Sequence, residues 1–221
     1  MYNEPGVLDF IIKSLNNGGS SGRFRSPAAE TCFRMSRNNT VKTNMSTNGP
    51  LMKAVAKAMV EQPGTMSTKN LGLCLQNVAF PSHTRANMMR LENYVLVDAI
   101  CAVVGSSCDA NHKDPRNTCM AVLSNMAITP ECKKGLFEYQ SGKLLKVLLT
   151  VVEYGDEDEN NALAVEKALI VCKNLANHPD TKEPMFDFPR CLPALMGVIN
   201  RWVVKMNAKA RRRATSTMCP L

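Results

Sequence analysis

Three observations predict an all-helical protein. Apolar residues make up 45% of the 221 residues but aromatic residues only 5%, and the chain holds 14 Met. This composition favours helices packed through flexible aliphatic side chains over a β-sandwich. An apolar stretch with one central Asn also occurs three times, and the apolar residues around each Asn follow the 3.6-residue period of a helix. A chain of this length can bury a substantial core.

The recurring stretch identifies the repeating unit. It reads LCLQNVA at 73–79, AVLSNMA at 121–127 and IVCKNLA at 170–176, with Asn77, Asn125 and Asn174 at equivalent positions. The copies are spaced by 48 and then 49 residues, which is typical of helical solenoids. A buried amide needs hydrogen-bond partners, so each Asn is either satisfied within the fold or directed at a ligand.

The similarity of the copies extends past the Asn. A basic residue follows each Asn by eight residues, and these are Arg85, Lys133 and Lys182. About twenty residues after each Asn another apolar segment begins, at 94–104, 143–152 and 191–204. Turn-forming residues follow the first two of these segments. Each copy therefore predicts the same succession of helices.

One face of each Asn-bearing helix carries polar residues. Positions −3, −2, +1 and +2 relative to the Asn are apolar in all three copies, which predicts burial on most sides. The exception is a strip with the Asn and the residue seven positions earlier, namely Asn70, Thr118 and Lys167. Between them, at position −4, stand Leu73, Ala121 and Ile170. Helical spacing places all of these residues on one face.

This pattern resembles armadillo repeats, the helical repeats of β-catenin and importin-α. The resemblance rests on helices that end in L-x-N-(V/M/L)-A, a base eight residues on, an apolar pair, and L-(L/V)-x-x-(L/I) in the next helix. It implies an all-α, right-handed α-solenoid of armadillo-type repeats with three helices each. In that family the third helix lines a concave groove, and its Asn holds the main chain of an extended partner peptide.

The resemblance implies a non-catalytic scaffold for protein–protein interaction. Its partner-binding residues in the concave groove would be Asn77, Asn125, Asn174, Asn70, Thr118 and Lys167. The partner would be an extended protein segment of acidic or amphipathic character. The alternative for the three Asn residues is a purely structural role, in which each amide braces a neighbouring repeat and meets no ligand.

The resemblance divides the chain into three regions. Residues 68–204 match clearly, and residues 1–67 predict one or more degenerate N-terminal repeats. Candidate helices there are 6–15, 28–37 and 49–60, and Arg34 or a close neighbour stands where the Asn is expected. Residues 205–221 predict a basic, flexible tail. The chain starts within a repeat without a polar cap, so a fragment of a longer protein is one interpretation.

Two other functions fit parts of the sequence. The net charge of +8 is concentrated near both ends, which favours nucleic-acid binding as an alternative. A nuclear-transport adaptor related to importin-α is the other. Importin-α carries Trp four residues before many of its Asn residues, but the single Trp of this chain is Trp202, outside those positions. We therefore expect no recognition of basic import signals.

The remaining features predict neither catalysis nor a cofactor. No nucleophile motif, phosphate loop, dinucleotide fingerprint or metal-ligand spacing occurs, so we expect no enzyme activity and no bound metal. The nine Cys are odd in number and show no CxxC spacing, which favours reduced, buried thiols. Without a leader or an apolar run of membrane-spanning length, the expected location is cytoplasmic, nuclear or both.

Overall fold

The computed structural model describes residues 6–17, 24–106, 113–154 and 162–217. Within these ranges the chain forms thirteen helices and no strand, so the all-α prediction is confirmed. The helices are α1 (Val7–Asn16), α2 (Arg25–Met35), α3 (Asn39–Thr47), α4 (Gly49–Glu61), α5 (Met66–Val78), α6 (Ser82–Arg90), α7 (Val95–Gly105), α8 (Lys113–Met126), α9 (Pro130–Glu138), α10 (Lys143–Tyr154), α11 (Ala162–Ala176), α12 (Pro179–Phe186) and α13 (Cys191–Thr217).

The helices form three series, and successive members of each series pack against one another. The Asn series consists of α2, α5, α8 and α11. The short series consists of α3, α6, α9 and α12, and the apolar series consists of α1, α4, α7, α10 and α13. From α2 onward one member of each series follows in a fixed order along the chain. Residues 25–61 therefore contribute the same succession of helices as the three clear copies.

One connected cluster of buried apolar side chains extends from Ile11 in α1 to Val198 in α13. The positions predicted to be apolar and buried around each Asn belong to it, except Ala176, which is partly buried and packs against it. Val78, Met126 and Leu175 directly follow the repeated Asn in α5, α8 and α11 and are fully buried. Each such side chain contributes about 2 kcal/mol relative to an exposed one. The core is thus built from equivalent layers, one for each copy of the repeat.

A constant spacing joins the Asn series to the short series. Each short helix has its N-cap four residues after the repeat's Asn, at Pro81, Thr129 and His178. The first short helix, α3, has its N-cap at Asn38, whose side chain accepts a hydrogen bond from the Val41 amide. The same spacing counted back from Asn38 reaches Arg34. This residue therefore holds the Asn position in α2.

A buried arginine connects the three N-terminal helices of the core. The Arg25 side chain is 1% exposed, and its Nε donates to the main-chain oxygen of Leu15 in α1 at 3.2 Å. Its Nη2 forms an ion pair with Glu61 of α4 at 2.5 Å. Since Arg25 itself opens α2, this one guanidinium links α1, α2 and α4.

Polar contacts also join successive repeats elsewhere. Asp98 of α7 pairs with Lys143 of α10 at 2.9 Å and accepts hydrogen bonds from Tyr139 and Gln140. Partial burial raises the pKa of the Asp98 carboxyl, but these hydrogen bonds and the Lys143 charge outweigh it, so the pKa lies below its usual value. The carboxylate therefore remains charged and holds α7 to the start of α10.

The C-terminal helix extends into the predicted tail. The structure continues α13 through residues 205–217, where the sequence predicted a flexible segment. This stretch is rich in Ala, Lys and Arg, which have high helix propensity, and it contains neither Gly nor Pro. Residues 218–221 lie outside the described part of the chain.

The described cysteines are free and buried, as the sequence predicted. They are Cys32, Cys74, Cys101, Cys119, Cys132, Cys172 and Cys191. Loss of hydration raises the pKa of Cys32, Cys101 and Cys172 to about 12 and that of Cys132 to about 11. The thiolate, which is the reactive form, is therefore scarce at neutral pH.

We expect these seven thiols to resist modification in the folded chain. At pH 8 an aromatic disulfide reagent should label none of them on the timescale of its reaction with a free thiol, and all should react in denaturant. Peptide mapping after labelling identifies the reactive positions. Fast labelling of Cys74 or Cys119 in the native chain would contradict this burial.

Candidate partner-binding face

The three repeated Asn residues lie near the C-terminal ends of α5, α8 and α11, as the sequence predicted. Asn77, Asn125 and Asn174 are each half-buried. Their equal distance from the following N-cap gives them one register, and the three helices pack side by side. The Asn side chains therefore recur on corresponding faces of neighbouring helices.

Two of the three amides brace the preceding helix of the Asn series. Asn77 Nδ2 donates to Ser36 Oγ, at the C-terminal cap of α2, at 3.0 Å. Asn125 Nδ2 donates to the main-chain oxygen of Gln76 in α5 at 3.5 Å, which is the long limit of a hydrogen bond. Within the described residues the Asn174 amide has no hydrogen-bond partner.

Bracing leaves part of each amide unused. An Asn side chain offers two N–H donors and one carbonyl acceptor, and each bracing contact takes a single N–H. Among the described residues, neither Asn77 Oδ1 nor Asn125 Oδ1 accepts a hydrogen bond. Because the side chains are half-buried rather than enclosed, these atoms can pair with a peptide main chain while the brace persists.

Thr118 does not present a contact position, although the sequence placed it in the partner-binding set. It is 9% exposed, and its hydroxyl donates to the Pro115 main-chain oxygen at 2.9 Å. It also packs directly on α5, where a Cβ added at Gly72 would lie 2.2 Å from Thr118 Oγ1. The close approach of α5 and α8 at this glycine covers Thr118. We therefore remove it from the proposed contact residues.

The other residues of the predicted strip are partly accessible. Asn70 and Lys167 are half-buried, and within the described residues neither side chain has a hydrogen-bond or ion-pair partner. At position −4, Leu73 is half-buried and Ala121 is buried, whereas Ile170 is exposed. Ile170 is thus the most accessible of the three side chains at position −4.

The structure adds apolar residues that the repeated stretch did not single out. Phe80 and Ile128 stand three residues after Asn77 and Asn125, and they are 70% and 54% exposed. Met66 and Leu163, eleven residues before Asn77 and Asn174, are also exposed. Helical spacing continued toward the start of each helix would have found Met66 and Leu163, whereas Phe80 and Ile128 lie in the turns that follow α5 and α8. We use the name Asn face for the surface formed by the three Asn residues with Asn70, Lys167, Ile170, Phe80 and Ile128.

Two basic residues near the N-terminal end are already paired with carboxylates. Arg25 is buried with Glu61, and Arg34 is paired with Glu30 at 2.6 Å. Arg23 lies outside the described residues. Arg37 and Lys42 of the same segment have no carboxylate partner within the described residues, so they are the cations left there for an anionic ligand.

The described part of the chain offers neither a metal centre nor a membrane span. No group of three or more His, Cys, Asp or Glu is arranged to hold a metal ion there. Within the same residues, no helix combines the length and the hydropathy that a bilayer crossing requires.

Comparison with known proteins finds no matching family model, curated protein or solved structure. The function must therefore be inferred from the residues of this chain.

Proposed function

We propose that this chain is an armadillo-type, right-handed α-solenoid that serves as a non-catalytic scaffold and binds an extended segment of a partner protein along the Asn face. The observation that carries the proposal is the register of Asn77, Asn125 and Asn174. Each stands four residues before a helix N-cap and each is half-buried. The three parallel helix series and the repeat spacing support the solenoid.

The contacts divide between the peptide main chain and its side chains. The unused amide atoms of the Asn residues pair with main-chain N–H and C=O groups of the partner. A net hydrogen bond contributes only about 1 kcal/mol, so the amides alone give weak binding. Phe80, Ile128 and Ile170 supply exposed apolar surface on the same face, and burying such side chains adds the larger share.

This surface suits an amphipathic segment. Alternate residues of an extended peptide point to opposite sides, so apolar residues can contact the face while polar ones remain in water. The position used by Trp in importin-α carries Leu73, Ala121 and Ile170 here. These residues offer no aromatic face to a Lys side chain, so the importin-like adaptor function is not favoured.

Single alanine variants separate partner binding from bracing. Because the Asn174 amide has no partner within the described residues, Asn174→Ala should leave the free energy of unfolding within about 0.5 kcal/mol of wild type. Asn77→Ala removes the bond to Ser36 and should cost about 1 kcal/mol. Urea unfolding followed by circular dichroism measures both changes.

The binding test uses affinity capture from native cells with quantitative mass spectrometry. We expect the triple variant Asn77→Ala/Asn125→Ala/Asn174→Ala to lose at least tenfold of the captured partner, and Asn174→Ala alone to lose part of it. Asn200→Ala changes an exposed Asn on α13, outside the Asn series and outside α3 and α6, and should capture normally. If a folded triple variant retains its partners, the Asn face is not the binding surface.

A further inference from the structure

Residues 31–91 form one of the two strongly basic regions of the chain, the other being its C-terminal end. Residues 31–91 contain eight Lys and Arg but a single acidic residue, Glu61. This region spans α3 to α6 with the end of α2, and it carries a local balance of +7 against the net +8 of the whole chain. The other residues together carry +1, because the acidic residues elsewhere offset the basic residues of the C-terminal end.

Half of these cations form ion pairs with carboxylates, and Lys57 shares Glu61 with the buried Arg25. The paired residues are Arg34 with Glu30, Lys53 with Glu92, Lys57 with Glu61, and Lys69 with Asp114. The other four have no carboxylate partner within the described residues, and they are Arg37, Lys42, Arg85 and Arg90. The uncompensated charge of this region thus belongs to these four side chains.

The four uncompensated cations lie together. Lys42 is on α3, Arg85 and Arg90 are on α6, and Arg37 directly precedes the N-cap of α3. Helices α3 and α6 pack against each other, and neither contains Asp or Glu. We name the surface of these two helices, together with Arg37, the basic face.

A depression of about 310 Å³ lies between the two helices of the basic face. Its lining residues are Ser46, Thr47, Ala86, Asn87, Arg90 and Leu91. Asn87 and Arg90 are exposed, and within the described residues their side chains have no hydrogen-bond partner. A guanidinium next to an amide donor matches the geometry of a carboxylate or phosphate group.

The basic face is short and does not continue along the short series. The next members, α9 and α12, carry Glu131, Glu138, Asp180 and Glu183, and Lys134 is paired with Asp180 at 3.2 Å. Each helix of the basic face has nine residues, or about 13 Å of helix. A nucleic-acid site follows the phosphate backbone over a longer basic groove, so the limited extent favours a short anionic segment.

The basic face meets the Asn face at Phe80. The Lys42 Nζ lies 5.9 Å from the centre of the Phe80 ring, and Phe80 is the exposed aromatic residue three positions after Asn77. A chain lying along the Asn face can therefore continue past Phe80 onto α3 and α6 without leaving the surface.

We propose that the basic face binds an anionic stretch of the partner polypeptide, carrying carboxylate or phosphate groups, adjacent to the apolar stretch held by the Asn face. The inference rests on the proposed function, because it takes the ligand to be a polypeptide. Arg37, Lys42 and Arg90 attract the stretch, and the depression at Arg90 and Asn87 receives one anionic side chain. Arg85 adds charge, but its guanidinium is already bonded to the Ala79 and Phe80 main-chain oxygens.

The test measures binding of defined probes to the full chain by fluorescence anisotropy. The probes are a labelled twelve-residue peptide of three Glu-Glu-Leu-Ser units, its form with phosphorylated serines, and a twelve-nucleotide thymidine single strand. The variant is Arg37→Glu/Lys42→Glu/Arg90→Glu. The control is Lys134→Glu/Lys146→Glu/Lys182→Glu, which makes the same change of net charge at exposed residues elsewhere.

We expect both peptides to bind wild type and to weaken at least tenfold in the basic-face variant but less than twofold in the control. Tighter binding of the phosphorylated peptide would identify phosphate as the preferred group, and equal binding would identify carboxylate. The inference is overturned if neither peptide binds, if the two variants weaken binding equally, or if the DNA strand binds more tightly than both peptides.

The two proposals fail in distinguishable ways. If the Asn triple variant loses cellular partners while the basic-face variant keeps them, the scaffold function stands and the anionic stretch is rejected. If the basic-face variant loses partners and the Asn triple variant keeps them, the partner binds through charge alone and the Asn face is rejected. Circular dichroism must show that each variant remains folded.

Discussion

Gly72→Ala should destabilise the chain by about 2 kcal/mol, although alanine is the better helix former. Gly72 lies inside α5, where exchange to alanine alone would gain about 1 kcal/mol of helix propensity. The added Cβ would lie 2.2 Å from Thr118 Oγ1 and 2.9 Å from Thr118 Cβ in α8. Rotation of the hydroxyl cannot relieve the second contact, so the helices must separate. Overpacking of this kind costs about 1–3 kcal/mol or more, which outweighs the propensity gain.

A double-mutant cycle identifies the contact responsible. Thr118→Ala removes Oγ1, which makes the closest approach, but keeps the Cβ at 2.9 Å, so combined with Gly72→Ala it should recover only the part of the loss that is due to Oγ1. Gly105→Ala is the matched control, because a Cβ at this helical position meets no atom within 4 Å. It should be neutral or stabilising by up to about 1 kcal/mol. Urea unfolding of all four variants gives the free energies. A stabilising Gly72→Ala would show that α5 and α8 are not packed this closely.

The same glycine shows where sequence reasoning reached its limit. Helical spacing correctly placed Thr118 on the strip that carries the Asn residues. It could not show that the strip is covered there, because burial depends on how closely a second helix approaches. That distance is set by Gly72, 46 positions earlier in the chain. A pattern within one helix predicts a direction for each side chain, but accessibility depends on the neighbouring helix.

Helix α3 was missed for a different reason. Its nine-residue sequence is NTVKTNMST. Four Thr and Asn residues follow the first Asn, and Val41 is β-branched. All of these residue types have modest helix propensity. The two Asn residues that bound it carry the signal, because Asn38 caps α3 and Asn48 caps α4. Packing of α3 on α6 supplies the stability that local propensity lacks. The helices with apolar faces were predicted because the residues that they bury follow the helical period.

The hydrogen bonds of Asn77 and Asn125 to the preceding helices are a third feature that the sequence alone could not predict. The sequence leaves open whether each repeated Asn serves the fold or a ligand, and the structure shows that one amide has atoms for both. The contacts of Asn77 with Ser36 and of Asn125 with Gln76 span 41 and 49 residues. Such pairs follow from the stacking of repeats and have no local signature.

The burial of Arg25 could not be predicted for the same reason, since its partner Glu61 in α4 lies 36 positions away in the sequence. Breaking its ion pair should cost more stability than breaking the exposed pair of Arg34 with Glu30. Glu61→Ala leaves a guanidinium that is 1% exposed without its counter-charge, whereas Glu61 itself is 40% exposed. Removing one partner of a fully buried ion pair costs about 3–5 kcal/mol. Because Glu61 is partly exposed, the expected cost of Glu61→Ala is about 3 kcal/mol.

Because Arg25 is buried and Glu61 is partly exposed, removing Glu61 should destabilise the chain more than replacing Arg25. In Arg25→Met the methionine fills most of the volume of the arginine side chain, and water can hydrate Glu61. The interior therefore loses only the hydrogen bond to the Leu15 main-chain oxygen. Arg25→Met should cost about 1–2 kcal/mol, and adding Glu61→Ala to it should cost little more. Glu30→Ala breaks the exposed pair with Arg34 and should change stability by less than about 0.5 kcal/mol.

Urea unfolding followed by circular dichroism measures this series, with the slope compared between variants to confirm that the same surface unfolds. The decisive quantity is the difference between Glu61→Ala alone and Glu61→Ala combined with Arg25→Met. If removal of the buried cation restores about 1–2 kcal/mol, the cost of Glu61→Ala was the uncompensated charge, and Arg25 is enclosed between α1, α2 and α4. If Glu61→Ala proves as mild as Glu30→Ala, water reaches the guanidinium. Arg25 would then be an accessible cation at the N-terminal end. It could contact a phosphate group, which would favour the nucleic-acid alternative.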